Sequence, residues 1–372
     1  MKSPIRLVLG LLCGIVFVFS AAPALADDNW PMFRGNPSLT GVAKSKLPDK
    51  LRVRWRFDAK EGIASSAAIV DGMVYVGCDA GFLYALDLKT GKEKWKFSTS
   101  QAPIESSPTV LDGMVFFGDD DGVMHALDAK KGTEKWKYQT QSQIISSANH
   151  FGDWILFGSY DGHLYCLDRR DGKLIWKYET EDRVHATPGI ANGHALVAGC
   201  DSRLHVVNVK DGKAAGHVEL DSVTGASAAA RGSLCFLATY ASEVLAIDIA
   251  TKKIVWRFKD EQRELPFLSS AALTDELAIV GGRDKRVHAI ELKTGKQRWQ
   301  FSTKGRIDSS PVVAGKRVFI GSEDGNLYAL EIATGKELWR FEAGDGISAS
   351  PAIGQGCLVI GTHGGALYCF SE

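Results

Sequence analysis

Apolar residues between positions 104 and 140 fall in four short runs. IESSPTV comes first, MVFFG follows Asp112-Gly113, VMHALD follows the turn DDDG, and EKWKYQT follows Lys131-Gly132. Short runs of this kind, alternating or continuously apolar and separated by Gly and Asp, predict four antiparallel strands joined by tight turns. No part of the chain beyond the first 26 residues sustains a helical period.

The same order of runs then repeats. ALDLKTGKEKW at 85–95 returns as ALDAKKGTEKW at 126–136, CLDRRDGKLIW at 166–176, AIELKTGKQRW at 289–299 and ALEIATGKELW at 329–339. Eroded copies stand at 207–216, where Gly216 replaces the tryptophan, and at 246–256, where Lys252 replaces the turn glycine. The tryptophan position falls at 55, 95, 136, 176, 216 (as Gly), 256, 299 and 339, in steps of 40 to 43 residues. A fixed period of that length, each copy holding four strands, implies a β-propeller with one blade per period.

A second count is independent of the tryptophans. The first strand of each period opens on a pair of small residues: Ser65-Ser66, Ser106-Ser107, Ser146-Ser147, Ala186-Thr187, Ala226-Ser227, Ser269-Ser270, Ser309-Ser310 and Ala349-Ser350. These eight pairs predict eight blades, with small side chains where the innermost strands converge on the axis. The chain starts on an outer strand and ends on a third strand, so residues 51–58 are expected to complete the last blade beside 347–370 and close the ring. The plan is a leader over 1–26, a lead-in segment over 27–50, and an all-β, eight-bladed propeller of four-stranded antiparallel blades over 51–372. Trp55, Trp95, Trp136, Trp176, Trp256, Trp299 and Trp339 are read as structural wedges between blades.

Composition locates the chain rather than changing its fold. Lys2 and Arg6, an apolar core over 7–20 and Ala24-Leu25-Ala26 form a secretory leader. The mature chain is expected to begin at Asp27, periplasmic or extracellular, and peripheral to a membrane at most. Cys13 follows Leu12 where a lipid-attachment motif wants a small residue, so no lipid anchor is expected. Lys and Arg number 44, as do Asp and Glu, and loss of Lys2 and Arg6 with the leader leaves a net charge of −2. Nothing there favours nucleic acid or an anionic membrane. Cys166 and Cys369 hold one place in different repeats, as do Cys78 and Cys200, so the cysteines are read as small buried hydrophobes.

The register also absorbs two tempting motifs. His125, His205 and His288 share one third-strand position with Tyr84, Tyr165, Tyr328 and Tyr368, and are read as packed blade-face residues rather than metal ligands. Asp119-Asp120-Asp121-Gly122 lacks a complete EF-hand pattern and sits where other repeats turn, so it is read as a turn.

A-x-D-x-x-T-G-K-x-x-W, repeated in register from 51 to 370, resembles the tryptophan-docking repeat of the pyrroloquinoline quinone (PQQ) propeller family. NWPMFRG at 29–35 resembles the segment that precedes such propellers, packed on the ring by Trp30 and Phe33. The resemblance implies one of two functions. Quinoprotein dehydrogenases of the family oxidise alcohols or sugars with PQQ and calcium on the axis, and their alcohol-oxidising branch sets two adjacent cysteines against the cofactor under long capping insertions. BamB-like members are non-enzymatic scaffolds of outer-membrane protein assembly. This chain has no Cys-Cys, and no repeat exceeds the common period by more than three residues. Little chain is left for a water-excluding cover.

Candidate sites belong on the face formed by loops entering first strands and joining second to third strands. At the position before each small pair, Glu105, His185 and Asp308 break a small or apolar series and are the candidates to line a ligand funnel. In the dehydrogenase alternative Glu105 or Asp308 would serve as base or ligand. The second candidate is the sector where the phrase fails, with an inserted loop over 261–267. There Tyr240, Arg263, Phe267 and Arg283 are read as a partner-binding patch, since aromatic and arginine anchors dominate interfaces. The reading is a secreted scaffold with a protein partner in the cell envelope, no catalytic residue, and no resident metal or cofactor. PQQ and calcium belong to the alternative.

Overall fold

The computed structural model describes residues 28–260 and 263–372. The expected leader, its cleavage site and Glu261-Gln262 lie outside them. Eight four-stranded antiparallel sheets surround one axis, as the two counts required, and the seventh gains a fifth strand. In the second blade the strands run outward as Thr109–Leu111, Met114–Gly118, Val123–Asp128 and Glu134–Gln139. The two middle strands are buried on both faces, which is why they read as continuous apolar runs, while the outer strand alternates. The helical content of the described residues is a single 3-10 turn, Phe33–Gly35.

Arg52–Asp58 pairs antiparallel with Ala366–Ser371, setting Trp55 opposite Cys369, so the last blade is built from both ends of the chain. Neighbouring blades are joined by the repeated phrase. Each indole N–H donates to a backbone carbonyl at the turn of the next blade: Trp55 to Leu88 (2.8 Å), Trp95 to Ala129 (3.0 Å), Trp136 to Arg169 (2.9 Å), Trp176 to Val209 (3.0 Å), Trp256 to Leu292 (2.9 Å) and Trp299 to Ile332 (2.7 Å). The ring face lies on the turn glycine, so tightly that a Cβ on Gly132 would sit 2.5 Å from Trp95. Glycine is required there twice over, because Gly132 also has φ +66.

Two junctions depart from this. Trp339 abuts the blade whose third-to-outer turn is missing, because that blade is closed from the two chain ends; it packs edge-on against Phe370 instead, with centroids 5.5 Å apart. Between blades four and five the two eroded positions meet. A Cβ on Gly216 would lie 2.6 Å from Cδ of Lys252, so the lysine stem covers the strand where a tryptophan stands elsewhere. Tryptophan on glycine has become glycine under lysine.

Residues 28–43 form a strap across the channel. Its carbonyls accept N–H groups at the inner edges of blade after blade: Trp30 from Ile69, Pro31 from Val110, Pro37 from Ile190, Ser38 from Ala230, Thr40 from Leu273, Gly41 from Val313 and, just past the inner strand of the last blade, Asp28 from Gln355, all at 2.7–2.9 Å. Asn149 of the third blade donates its side-chain amide to Pro37 as well. All eight inner edges are thereby engaged, which matters because an unpaired buried backbone donor is costly. Trp30, Met32, Arg34 and Leu39 are the buried anchors. Phe33 differs from expectation: it is half-buried and turns toward the axis, where it floors a cavity.

Candidate functional site

The small-residue pairs do more than make room. The second member is Ser or Thr in every blade, and its hydroxyl oxygen accepts the backbone N–H of the equivalent residue one blade earlier. Ser66 N–H donates to Ser107, Ser107 to Ser147, Ser147 to Thr187, Thr187 to Ser227, Ser227 to Ser270, Ser270 to Ser310, Ser310 to Ser350, and Ser350 back to Ser66, at 2.9–3.1 Å. A closed collar of eight hydrogen bonds thus encircles the axis. It explains why the first strands begin late: Ser107 faces the next blade rather than a ladder partner. The sequence held the signal, a hydroxyl at every second place, but steric need alone had been read from it.

Above the collar opens a funnel of 390 Å³ with Phe33 as its floor. The three funnel candidates, Glu105, His185 and Asp308, all line it, and so do Tyr240 and Arg283. Asp308 is held by a two-pronged contact from Arg283, Nε to Oδ1 at 2.9 Å and Nη2 to Oδ2 at 3.0 Å, with Arg306 3.4 Å away. Tyr160 O–H meets Nδ1 of His185 at 2.6 Å, which suits a ring that burial keeps neutral by lowering its pKa. Glu105 has no hydrogen bond or ion pair among the described residues. Its pKa is raised by burial and then by Asp120 and Asp79; those two are raised in turn, each by burial first, then Asp120 by its aspartate neighbours and Asp79 by Glu61. One side of the mouth is thus an acidic sector short of cations.

The titration of Glu105 has a measurable consequence. A raised carboxylate is one whose ionised form the fold disfavours, so its stability contribution is best below the unfolded pKa of about 4.3 and is lost as pH rises through the higher folded value. Glu105 is exposed at the funnel wall, so solvent screens much of this effect; Glu105→Gln is therefore expected to melt only slightly above the parent at pH 7, with the difference vanishing toward pH 4, as calorimetry across that range would read.

The proposed partner patch divides. Tyr240 is 42% exposed at the mouth, Arg263 is exposed and donates Nη1 to the Asp284 carbonyl at 2.9 Å, and Arg283 faces the funnel. Phe267 is the correction: it is fully buried, in the core between blades five and six, and offers no anchor. The register shows why. Phe267 precedes Leu268 as Ile104 precedes Glu105 and Ile307 precedes Asp308, and those isoleucines are also fully buried. Leu265, 44% exposed, is the apolar residue the inserted loop presents.

The third-strand histidines are buried as expected, and their polar tips have partners. Nε2 of His125, His205 and His288 meets Asp119, Asp201 and Asp284 at 2.7–2.9 Å, and Tyr165 and Tyr328 donate to Asp161 and Asp324 in the same register. Asp260 joins His288 and Asp284 in a cluster compact enough for a metal. Arg286 already contacts Asp260 at 2.8 Å, however, and the His–Asp pair belongs to the repeat. Asp119 accepts the N–H of Val123 in its turn, as the turn reading of that acidic run required.

The family of the outer membrane protein assembly factor BamB matches over residues 49–150, 146–234 and 240–371. The chain belongs to that family. Solved structures similar to it include BamB from Moraxella catarrhalis, at 17% identity and TM-score 0.75 over 87% of this chain and 100% of that one. They also include the quinohemoprotein alcohol dehydrogenase of Comamonas testosteroni, at 14% identity and TM-score 0.80 over 92% of this chain and 80% of that one. At such identities the likeness shows the fold alone. A lupanine 17-hydroxylase [cytochrome c] of Pseudomonas sp is 30% identical over 106 residues, a stretch amounting to 25% of this chain and 15% of that protein. The fold thus occurs both in an assembly factor and in enzymes, and fold alone does not choose between them.

The quinone of the enzyme branch is an acid with several carboxylates. The funnel offers such an acid little positive charge of its own: Arg283 is the guanidinium on its wall and is already engaged with Asp308, while Glu105 stands unpaired. No pair of adjacent cysteines borders the cavity.

Proposed function

We propose that this chain is a non-enzymatic scaffold of the cell envelope, exported by its leader and binding a protein partner with the funnel face in the sector of blades five and six. The observation that carries the reading is the funnel itself: open at the mouth, with Phe33 on its lining, and with Glu105 as its unpaired charged group. Enzymatic stabilisation of a reacting anion needs preorganised donors in a water-excluding site, and compact loops do not build one. Tyr240, Arg263 and Leu265 supply exposed aromatic, cationic and apolar contacts around that mouth, the mixture that carries binding energy at interfaces. Kinship with an assembly factor supports a role in outer-membrane protein assembly. The dehydrogenase reading keeps one supporting observation, the axial placement of Glu105 and Asp308.

A photo-crosslinking residue at Tyr240 in the living cell tests the proposal, with exposed Lys316 on the opposite face as the comparison. A discrete protein adduct at 240 and none at 316 is expected. No adduct at 240, or the same adducts at both, would refute the assignment of this face.

A further inference from the structure

The collar, the acidic sector and Phe33 bound one volume. Each collar oxygen uses one lone pair on a backbone N–H, and no acceptor for its own proton lies among the described residues. Ser107, Ser227 and Ser310 are 3–4% exposed, and what exposure they have is to the funnel. That spare capacity can be met by water or by the polar group of an occupant, so the collar is able to solvate a polar ligand. A hydroxyl rotor can turn its remaining lone pair to a donor or its proton to an acceptor, so the collar alone does not set the sign of the occupant's charge. The wall above it does. Glu105 is unpaired and inside the cavity, Asp79 and Asp120 adjoin it, and Arg283 is neutralised by Asp308. Two aromatic residues, Phe33 and Tyr240, also line the cavity, and aromatic rings are surfaces a cation prefers.

We propose that the funnel is a receptor for an organic cation, an ammonium or guanidinium group that pairs with Glu105 and is solvated by the hydroxyl collar. Its sign is opposite to that of the anionic quinone held by the enzyme branch of the fold. The group can arrive as a lysine or arginine side chain of the partner, which rests on the scaffold reading above, or as a free polyamine; the cation chemistry is common to both. At 390 Å³ the cavity has room for one such side chain and not for a folded element. Glu105 is exposed to the funnel, so a cation can reach its carboxylate directly, and a charge-assisted contact there makes it the residue whose neutralisation matters most.

The test is calorimetric titration of the purified protein with four probes: a capped Gly-Lys-Gly peptide, its arginine and glutamate counterparts, and spermidine, each repeated on Glu105→Gln and on Asp120→Asn. The lysine and arginine peptides are expected to bind and compete with one another, and the glutamate peptide to give no heat. Glu105→Gln should weaken the cationic probes by about ten-fold or more, the measure of one charge-assisted hydrogen bond. Asp120→Asn, which changes the field without removing the contact, should weaken them less. Spermidine binding without either peptide would keep the cation chemistry and identify a free amine as its source. Equal binding of glutamate and lysine peptides, no binding by any cation, or saturable calcium binding lost in Glu105→Gln while the amines stay inert would overturn the proposal. The crosslink at Tyr240 separates the two claims: an adduct that forms while no cation binds leaves the scaffold standing, and cation binding without an adduct leaves the funnel standing.

Discussion

Restoring tryptophan at 216 is expected to help only when glycine is restored at 252. Gly216→Trp alone drives an indole into the Lys252 stem and places a bulky residue at φ +129, a combination of overpacking and strain that should remove about 1–3 kcal/mol. Lys252→Gly alone should stay within about 1 kcal/mol of the parent, since relief of a left-handed backbone at φ 56 offsets the lost cover over Gly216. Together the two substitutions rebuild the junction found between the other blades, including a carbonyl at Ile249 in the register of Val209 and Leu292. A favourable coupling of about 2–3 kcal/mol between them, read by denaturant unfolding of the four proteins, is the expected result. Additive single effects would show that the lysine merely lies nearby.

The same clasp predicts that equivalent tryptophans are unequal. Trp299 is 8% exposed and donates its indole N–H at 2.7 Å. Trp299→Ala removes a buried ring and a hydrogen bond, and should lower stability by about 3–5 kcal/mol. Trp339 is half-buried, its indole has no acceptor among the described residues, and Trp339→Ala should lower stability by about 1–2 kcal/mol. Equal losses would mean that ring packing alone, without the turn of the next blade, accounts for the phrase.

Much of this is legible in the sequence. Blade number, the closure of the last blade by residues 51–58 and the funnel positions of Glu105, His185 and Asp308 all follow from register, because a repeat puts equivalent residues in equivalent places. What stayed hidden depends on contacts between repeats. The mutual contact of Gly216 and Lys252 joins positions 36 residues apart in adjacent blades, and each alone looks like erosion. The collar hides because serine satisfies a steric and a hydrogen-bonding demand with the same letter. Phe267 departs from expectation for a different reason: it ends the inserted loop, yet it still obeys the register that buries Ile104 and Ile307.

That register also sets what the chain can hold on its axis. An acidic, uncapped funnel floored by Phe33 is the central claim, and it bears most directly on the quinone. Purified protein titrated with PQQ in the presence of calcium, followed by absorbance and by alcohol-dependent dye reduction, is the measurement to make. No saturable bound-quinone spectrum and no dye reduction is the predicted result. A one-to-one spectrum with turnover would contradict the account and return Glu105 and Asp308 to the role of catalytic groups.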